Sequence, residues 1–315
     1  MIKLPLGHDY VVAKVDKLVT DILSSNTRIT IQQISEQLSL YYQPMTSLYN
    51  NELEYTASIK WFIGSCYLVC GNCYPSEVIW DKATTKRFIH ALNFYQHEFA
   101  IAVSDFAFQE QRNSQSLRQY MNHYLVQYSR VLVVRVDLKI KIESAHLVGV
   151  DTFSYFMDQL MDKIQRDREK AKKREKKERQ NIKVINKEKE CFEGLRGYAW
   201  AIEQGVETGG LHCHLLLIYN GDKRKSDWFL ADSVGKRWVE ITNGLGRWHN
   251  CHTSEYKRSY ERQGMLGIGM IHKDNSLEVN NTMRAALYLT RPDKFEQRLK
   301  AWLPNMRSFG RGTIK

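Results

Sequence analysis

Residues 209–219 read Gly209-Gly-Leu-His-Cys-His-Leu-Leu-Leu-Ile-Tyr219. The apolar run is short, opens after two glycines and closes on the turn dipeptide Asn220-Gly221, which is the pattern of a buried β-strand. Side chains alternate along a strand, so His212 and His214 share one face. Tyr198 to Glu203 is a strand candidate just upstream. A hairpin of the two segments brings the Glu203 carboxylate beside both imidazoles. Two histidines and a carboxylate with open positions suit Mg²⁺, Mn²⁺ or Zn²⁺ acting as a Lewis acid. The competing reading is a pair of strand histidines hydrogen-bonded at the edge of a core.

Outward from this hairpin, residues 131–141 form another strand candidate. It is rich in β-branched residues, and Arg135, Asp137, Lys139 and Lys141 alternate onto one face. Between the two regions a helix is expected over about 152–180, amphipathic at its start. Its end is a charge run: residues 163–179 hold ten Lys or Arg against four Asp or Glu. That run is either a solvated, projecting helix or a phosphate contact made by Lys172, Lys173, Arg174, Lys176 and Lys177. The first 125 residues read as mostly helical. Apolar residues recur at helical spacing over 11–23, Thr30 with Gln33 has the form of a capping box, and 53–70 and 84–108 also read as helix. The expected fold class is therefore α+β: an antiparallel sheet with the histidines on a central strand and helices packed on one side, preceded by a helical N-terminal region. A boundary near residue 125 divides a helical region of unknown role (1–125) from the sheet-bearing domain (126–315).

Downstream, residues 281–291 read as a short helix capped by Asn281 and limited by Pro292. Arg284, Tyr288 and Arg291 then fall on one face, where a tyrosine between two guanidinium groups can meet a phosphate. Taken alone, this is more often the pattern of a half-buried surface tyrosine. Several other signals have bland readings. Cys66, Cys70 and Cys73 have the spacing of an iron–sulfur motif, but in an apolar helical stretch they read as small hydrophobes. His249, Cys251 and His252 read as a loop. Trp238 and Trp248, beside Arg237 and Arg247, either stack bases or pack the domain. Phe309-Gly-Arg-Gly312 reads as a flexible cationic tail that offers Arg311 to phosphate.

The 315 residues carry 46 Lys or Arg against 35 Asp or Glu, a formal charge of +11. That excess points to a polyanion, nucleic acid first and an anionic membrane second. No run of apolar residues is long enough to span a membrane. The N-terminus lacks the pattern of a secretory signal, and six cysteines make no disulfide scaffold, so a reducing, cytoplasmic setting is expected.

Taken together, the phrases Arg135-Val-Asp137, Trp200-Ala-Ile-Glu203, Gly210-Leu-His-Cys-His-Leu-Leu-Leu-Ile-Tyr-Asn-Gly221, Gly267-Ile-Gly-Met-Ile271, Tyr288-Leu-Thr-Arg291 and Phe309-Gly-Arg-Gly312 resemble the HUH endonucleases. They are most similar to the filamentous-phage (inovirus-type) gene II replication proteins and the related YagK/YfjJ C-terminal domains, in the same order over about residues 130–312. The resemblance implies metal ligands at His212, His214 and Glu203, a nucleophile at Tyr288 and a phosphate-side cation at Arg291, where the family usually has Lys. Arg284 and Arg311 are expected on the DNA. The implied chemistry is nicking and rejoining of single-stranded or hairpin DNA at an origin, with Mg²⁺ or Mn²⁺, through a 5′-phosphotyrosine link that frees a 3′-OH to prime rolling-circle replication. The implied setting is the cytoplasm of a bacterial host, alongside host replication proteins. Use of the same chemistry by a relaxase, transposase or interference nickase, or a DNA-binding protein that has lost catalysis, are the alternatives.

Overall fold

The computed structural model describes residues 7–24, 28–179 and 191–314. Its N-terminal part is helical because apolar residues recur every three to four positions. Helix α1 (His8–Leu23) buries Val11, Val12, Val15, Leu18 and Val19. Helix α2 (Ile31–Leu48) opens with the expected capping box: Thr30 Oγ1 accepts from Gln33 N at 3.2 Å, and Gln33 Oε1 accepts from Thr30 N at 2.9 Å. Residues 54–55 are not helical; they form strand β1 (Glu54–Tyr55), ahead of α3 (Ala57–Cys70). The helix expected over 84–108 is two helices, α4 (Lys82–Asn93) and α5 (Gln96–Gln127). The chain breaks at Tyr95, whose ring stacks on Trp61 with centroids 5.5 Å apart.

The remainder is built on strand β2 (Arg130–Ile140), helix α6 (Val150–Arg179), strands β3 (Leu195–Gln204) and β4 (Leu211–Asn220), and helix α7 (Asp227–Ile241). Strand β5 (Gly246–Asn250), helix α8 (Ser254–Glu261), strand β6 (Gly269–His272), helix α9 (Ser276–Leu287) and the short strands β7 (Ala301–Trp302) and β8 (Phe309–Arg311) follow. The sheet is antiparallel, in the order β5-β2-β4-β3-β8, and β6 shares the outer edge of β2 with β5. The histidine strand β4 is central, as expected. Strand β7 pairs with β1 and ties the C-terminal segment to the N-terminal helices.

Helices cover both faces of the sheet, not one. The apolar runs of β2 and β4 are nearly continuous and their side chains point alternately to the two faces, so both faces need a cover. On one face Val134, Val136, Leu138, Leu215 and Leu217 pack against Phe153, Phe156 and Leu160 of α6 and Leu230, Val234 and Trp238 of α7. On the other, Val131, Val133, Ala199, Leu216 and Ile218 pack against Leu117, Tyr120, Met121 and Tyr124 of α5 and Met283 and Ala286 of α9. The second cover reaches only part of its face. Where it stops, the side chains of the same strands turn from Val, Leu and Ile to Arg135, Asp137, His214, His212 and Glu203.

The N-terminal helices form their own core and dock on the turn end of the histidine hairpin. Gln204 Nε2 donates to Asp9 O at 3.0 Å, and Lys14 pairs with Glu207 at 2.9 Å. Gly209 sits at φ +65°, and a Cβ there would run into the backbone of Asp9 and Tyr10. Buried Asp16 accepts from Arg298 at 2.7 Å and adds a second tie to the C-terminal segment.

Candidate metal and phosphate site

Strand register assembles the first part of the site. Glu203 lies opposite His212 on β3 and β4, and Asp137 lies opposite His214 on β2 and β4. Residues directly opposed across a sheet point the same way. Glu203, His212 and His214 therefore converge as the hairpin reading requires, with one ligand atom from each inside a 4.8 Å group. His212 Nε2 and His214 Nε2 lie 3.5 Å and 3.3 Å from Glu203 Oε2.

Partners behind the three residues orient them. His214 Nδ1 donates to Asp137 Oδ1 at 2.6 Å, which leaves Nε2 facing Glu203. Arg135 Nη2 lies 3.2 Å from the same Nδ1, but that nitrogen's proton is committed to Asp137, so Arg135 is a neighbour there and not a donor to it. His212 Nδ1 faces Gly210 O at 3.5 Å. Glu203 Oε1 accepts from Lys294 Nζ at 2.5 Å, and Oε2 is left for the imidazoles. An imidazole held at its far nitrogen and a carboxylate held by its far oxygen form a donor set ready for a divalent ion.

Charge in this buried place is balanced by pairing. Burial raises the Glu203 pKa, but hydrogen bonds from His212 and His214 and the charge of Lys294 outweigh it and hold the carboxyl below its ordinary range. Asp137 behaves alike: burial opposes ionisation, and His214 and Arg135 more than restore it. Burial also pulls the His214 imidazole toward neutrality, yet the bonds to Asp137 and Glu203 leave its pKa raised.

Tyr288 stands against this cluster, its ring centroid 5.7 Å from that of His214 in an edge-on arrangement. Its local setting differs from the expected helix. Asn275, not Asn281, caps α9, accepting from Glu278 N at 3.2 Å, while Asn275 Nδ2 donates to Glu278 Oε1 at 2.9 Å. Asn281 is buried in mid-helix and bonds Gly264 O at 2.8 Å. The α-helix ends at Leu287, and Tyr288–Thr290 form a 3₁₀ turn that puts Arg291 in extended backbone. Arg284, Tyr288 and Arg291 are thus not one helical face. The cations against the ring are Lys294 at 3.4 Å, Arg135 at 4.8 Å and Arg291 at 5.8 Å. Arg291 is also paired with Asp293. Lys294 and Asp137 are the residues that local pattern missed. Lys294 is only 7 % exposed and lies 91 positions from its partner Glu203, so no local periodicity marks it.

Tyr288 opens onto a cleft of about 850 Å³ lined by Arg118, Arg135, Arg284, Arg291, Tyr256 and Tyr260 among others. Arg284 is exposed beside it. Of the α6 charge run, Lys172, Lys173 and Lys176 are exposed, Arg174 is paired with Glu193 at 2.9 Å, and the Lys177 side chain lies outside the described residues. Arg311 is not on a flexible tail. It ends β8, donates to Ser116 Oγ at 2.9 Å and lies 5.0 Å from the Tyr120 ring. Trp238 is fully buried and donates to Lys139 O, and the Trp248 ring lies against Gly235, so both pack the domain. His249 lies on β5 opposite Asp137, while buried His252 accepts from Arg135 N at 3.0 Å and fills the gap between β5 and β6. Among the described residues, Cys66, Cys70 and Cys73 do not gather into a three-ligand cluster, and no helix is long and apolar enough to cross a membrane.

Residues 84–312 match the YagK/YfjJ C-terminal domain family, a span that holds every residue of the cluster and Tyr288. Neither the curated proteins nor the solved structures contain a match to the chain.

Proposed function

The chain belongs to the YagK/YfjJ C-terminal domain family, and on that premise we propose that it is an HUH-type enzyme that nicks and rejoins single-stranded DNA through a tyrosine. The observation that carries this reading is the placement of Tyr288. Among the 17 tyrosines of the chain, it stands edge-on to an imidazole of the Glu203–His212–His214 group and within 6 Å of three cations. A phosphodiester is the substrate that needs a nucleophile, a metal-ligand set and cationic charge at one point.

In the proposed reaction the strand lies in the arginine-lined cleft with its scissile phosphate between Tyr288 and the histidines. Glu203, His212 and His214 would hold a divalent ion, Mg²⁺ or Mn²⁺ by the family resemblance, and it would supply Lewis-acid polarisation of the scissile phosphate. The Tyr288 hydroxyl gives up its proton to water in the cleft, and its oxygen bonds to phosphorus. The bond from phosphorus to the 3′ oxygen breaks in line, and that oxygen takes up a proton as a 3′-OH. Lys294, Arg135 and Arg291 stabilise negative charge as it builds on the phosphate. The 5′-phosphotyrosine keeps the bond energy, so the reverse step rejoins a strand without ATP. A free 3′-OH also primes synthesis, which fits initiation of rolling-circle replication in a phage, satellite or plasmid-like element.

The test is incubation of the full chain with Mn²⁺ and single-stranded DNA from its own locus, followed by a denaturing gel and mass spectrometry of the adduct. The reading requires a covalent species on the peptide containing Tyr288, lost with chelator and with His212→Ala or His214→Ala. Cleavage without any adduct, or full cleavage by the double histidine variant in chelator, would overturn it.

A further inference from the structure

Arg291 borders a second cavity as well as the strand cleft. This one has a volume of about 360 Å³, and Glu203, Lys294 and Arg291 are among the residues that line it. Aromatic side chains form part of its wall. Trp61 comes from α3, Phe99 and Phe106 from α5, and Phe295 follows Lys294 in the chain. The Phe99 and Phe106 rings meet Phe295 edge-on at 5.9 Å and 5.6 Å, which fixes its orientation. Trp61, Phe99 and Phe106 are only half-buried, so the protein leaves part of each ring uncovered. Glu110 adds a buried carboxyl at the wall, bonded to Asn113 at 3.1 Å.

We propose that this cavity takes one unstacked nucleobase from the nucleotide next to the scissile phosphate. The inference rests on the proposed nicking function and adds to it a subsite built by the N-terminal helices. Three observations select a base over other occupants. The volume suits one flat heterocycle and its sugar, not a folded strand. Every base has a π-face, so ring walls hold any base by stacking. Two cations that line the cavity, Lys294 and Arg291, also flank the Tyr288 ring, so a phosphate held beside Tyr288 and the exposed Arg291 has its own base next to the cavity. Glu110 gives the base edge a hydrogen-bonding partner. Burial, its largest influence, raises the pKa of this carboxyl.

A mixed-sequence single strand carrying 5-iodouracil, irradiated with the full chain in chelator, tests this without any cleavage. Crosslinks are expected in peptides containing Trp61 or Phe106, in addition to those containing Tyr256 or Tyr260 of the strand cleft. Ala102→Phe, which fills the cavity from α5, should erase the first set, keep the second and lower strand affinity roughly tenfold, the loss of one stacked base. Crosslinks confined to Tyr256 and Tyr260 overturn the inference, as does a variant that binds and crosslinks like the wild type. If the variant does not fold, the wild-type crosslink map decides alone. A chain that binds no single strand at all removes the nicking proposal itself, and the base site with it.

Discussion

At the residue scale, Lys294 and not Arg291 is the cation nearest the Tyr288 ring. Arg291 shares its charge with Asp293 in solvent, where an ion pair contributes little and is easily screened. Lys294 is buried between Glu203 and the Tyr288 ring, where water does not weaken its field. Under the nicking proposal, Tyr288→Phe abolishes both nick and adduct while binding stays near wild type. Lys294→Ala slows adduct formation by roughly 10²-fold or more, the scale of one lost charge stabiliser, and Arg291→Ala does so by a smaller factor. Single-turnover gels read all three, and equal effects at 291 and 294 would contradict this ranking. Asp137 matters through His214. Asp137→Asn keeps the shape but gives Nδ1 a weaker acceptor, so Mn²⁺ affinity measured by calorimetry should fall roughly 10–100-fold.

At the element scale, strand periodicity and helix periodicity were not equally informative. Period two on β3 and β4 placed Glu203, His212 and His214 together, since one hairpin fixes three side chains at once. Helix α9 starts ahead of Asn281 because Asn275 caps it, with its partner Glu278 three residues on. Its end departs from the expected helix because the 3₁₀ turn Tyr288–Thr290 leaves no mark in residue spacing. Helix α6 invites a direct measurement. Lys172, Lys173 and Lys176 are exposed, whereas Arg174 is spent on Glu193. Replacing the three lysines by Gln should flatten the log–log salt dependence of single-strand binding by roughly 2, at about 0.7 per phosphate contact. An unchanged slope would make α6 a solvated face only. Arg174→Gln should alter the slope less than any of the three.

At the scale of the whole molecule, the N-terminal and sheet-bearing parts hold each other in shape. The last turns of α5 bury Leu117, Tyr120, Met121, Tyr124 and Leu125 on the face that carries the site. A fragment of residues 126–315 lacks that cover and should be aggregated or partly unfolded by circular dichroism, whereas one from residue 84 retains it. A stable, cooperative 126–315 fragment would show that α5 is dispensable. Lys300 provides a pH signature of the same seam. It is fully buried beside Gln204, with its ammonium donating to Glu296 O and Arg298 O. Burial, partly offset by Asp16, lowers its pKa from 10.5 to about 8. From about pH 8 toward 10.5 the unfolded chain keeps a proton that the folded chain has released, so stability rises with pH across that window, by up to about 3 kcal/mol. Below pH 8 the penalty is constant. Urea midpoints at pH ~7.5 and ~9.5 should show the rise, and Lys300→Met should flatten it.

What residue order determined by itself is local. It specified the class of fold, the histidine strand, the pairing of that strand with Glu203, and the excess of positive charge, because each follows from periodicity or from one hairpin. What only the tertiary structure decided is everything that joins distant segments. The second helical cover on the sheet, Asp137 behind His214, Lys294 between Glu203 and Tyr288, and the aromatic cavity between α3, α5 and β3 all arise where chains far apart in sequence pack together. Side-chain periodicity reports which way a residue faces within its own element. Which partner it meets is settled by packing two apolar faces against each other, and that information is spread over the whole chain.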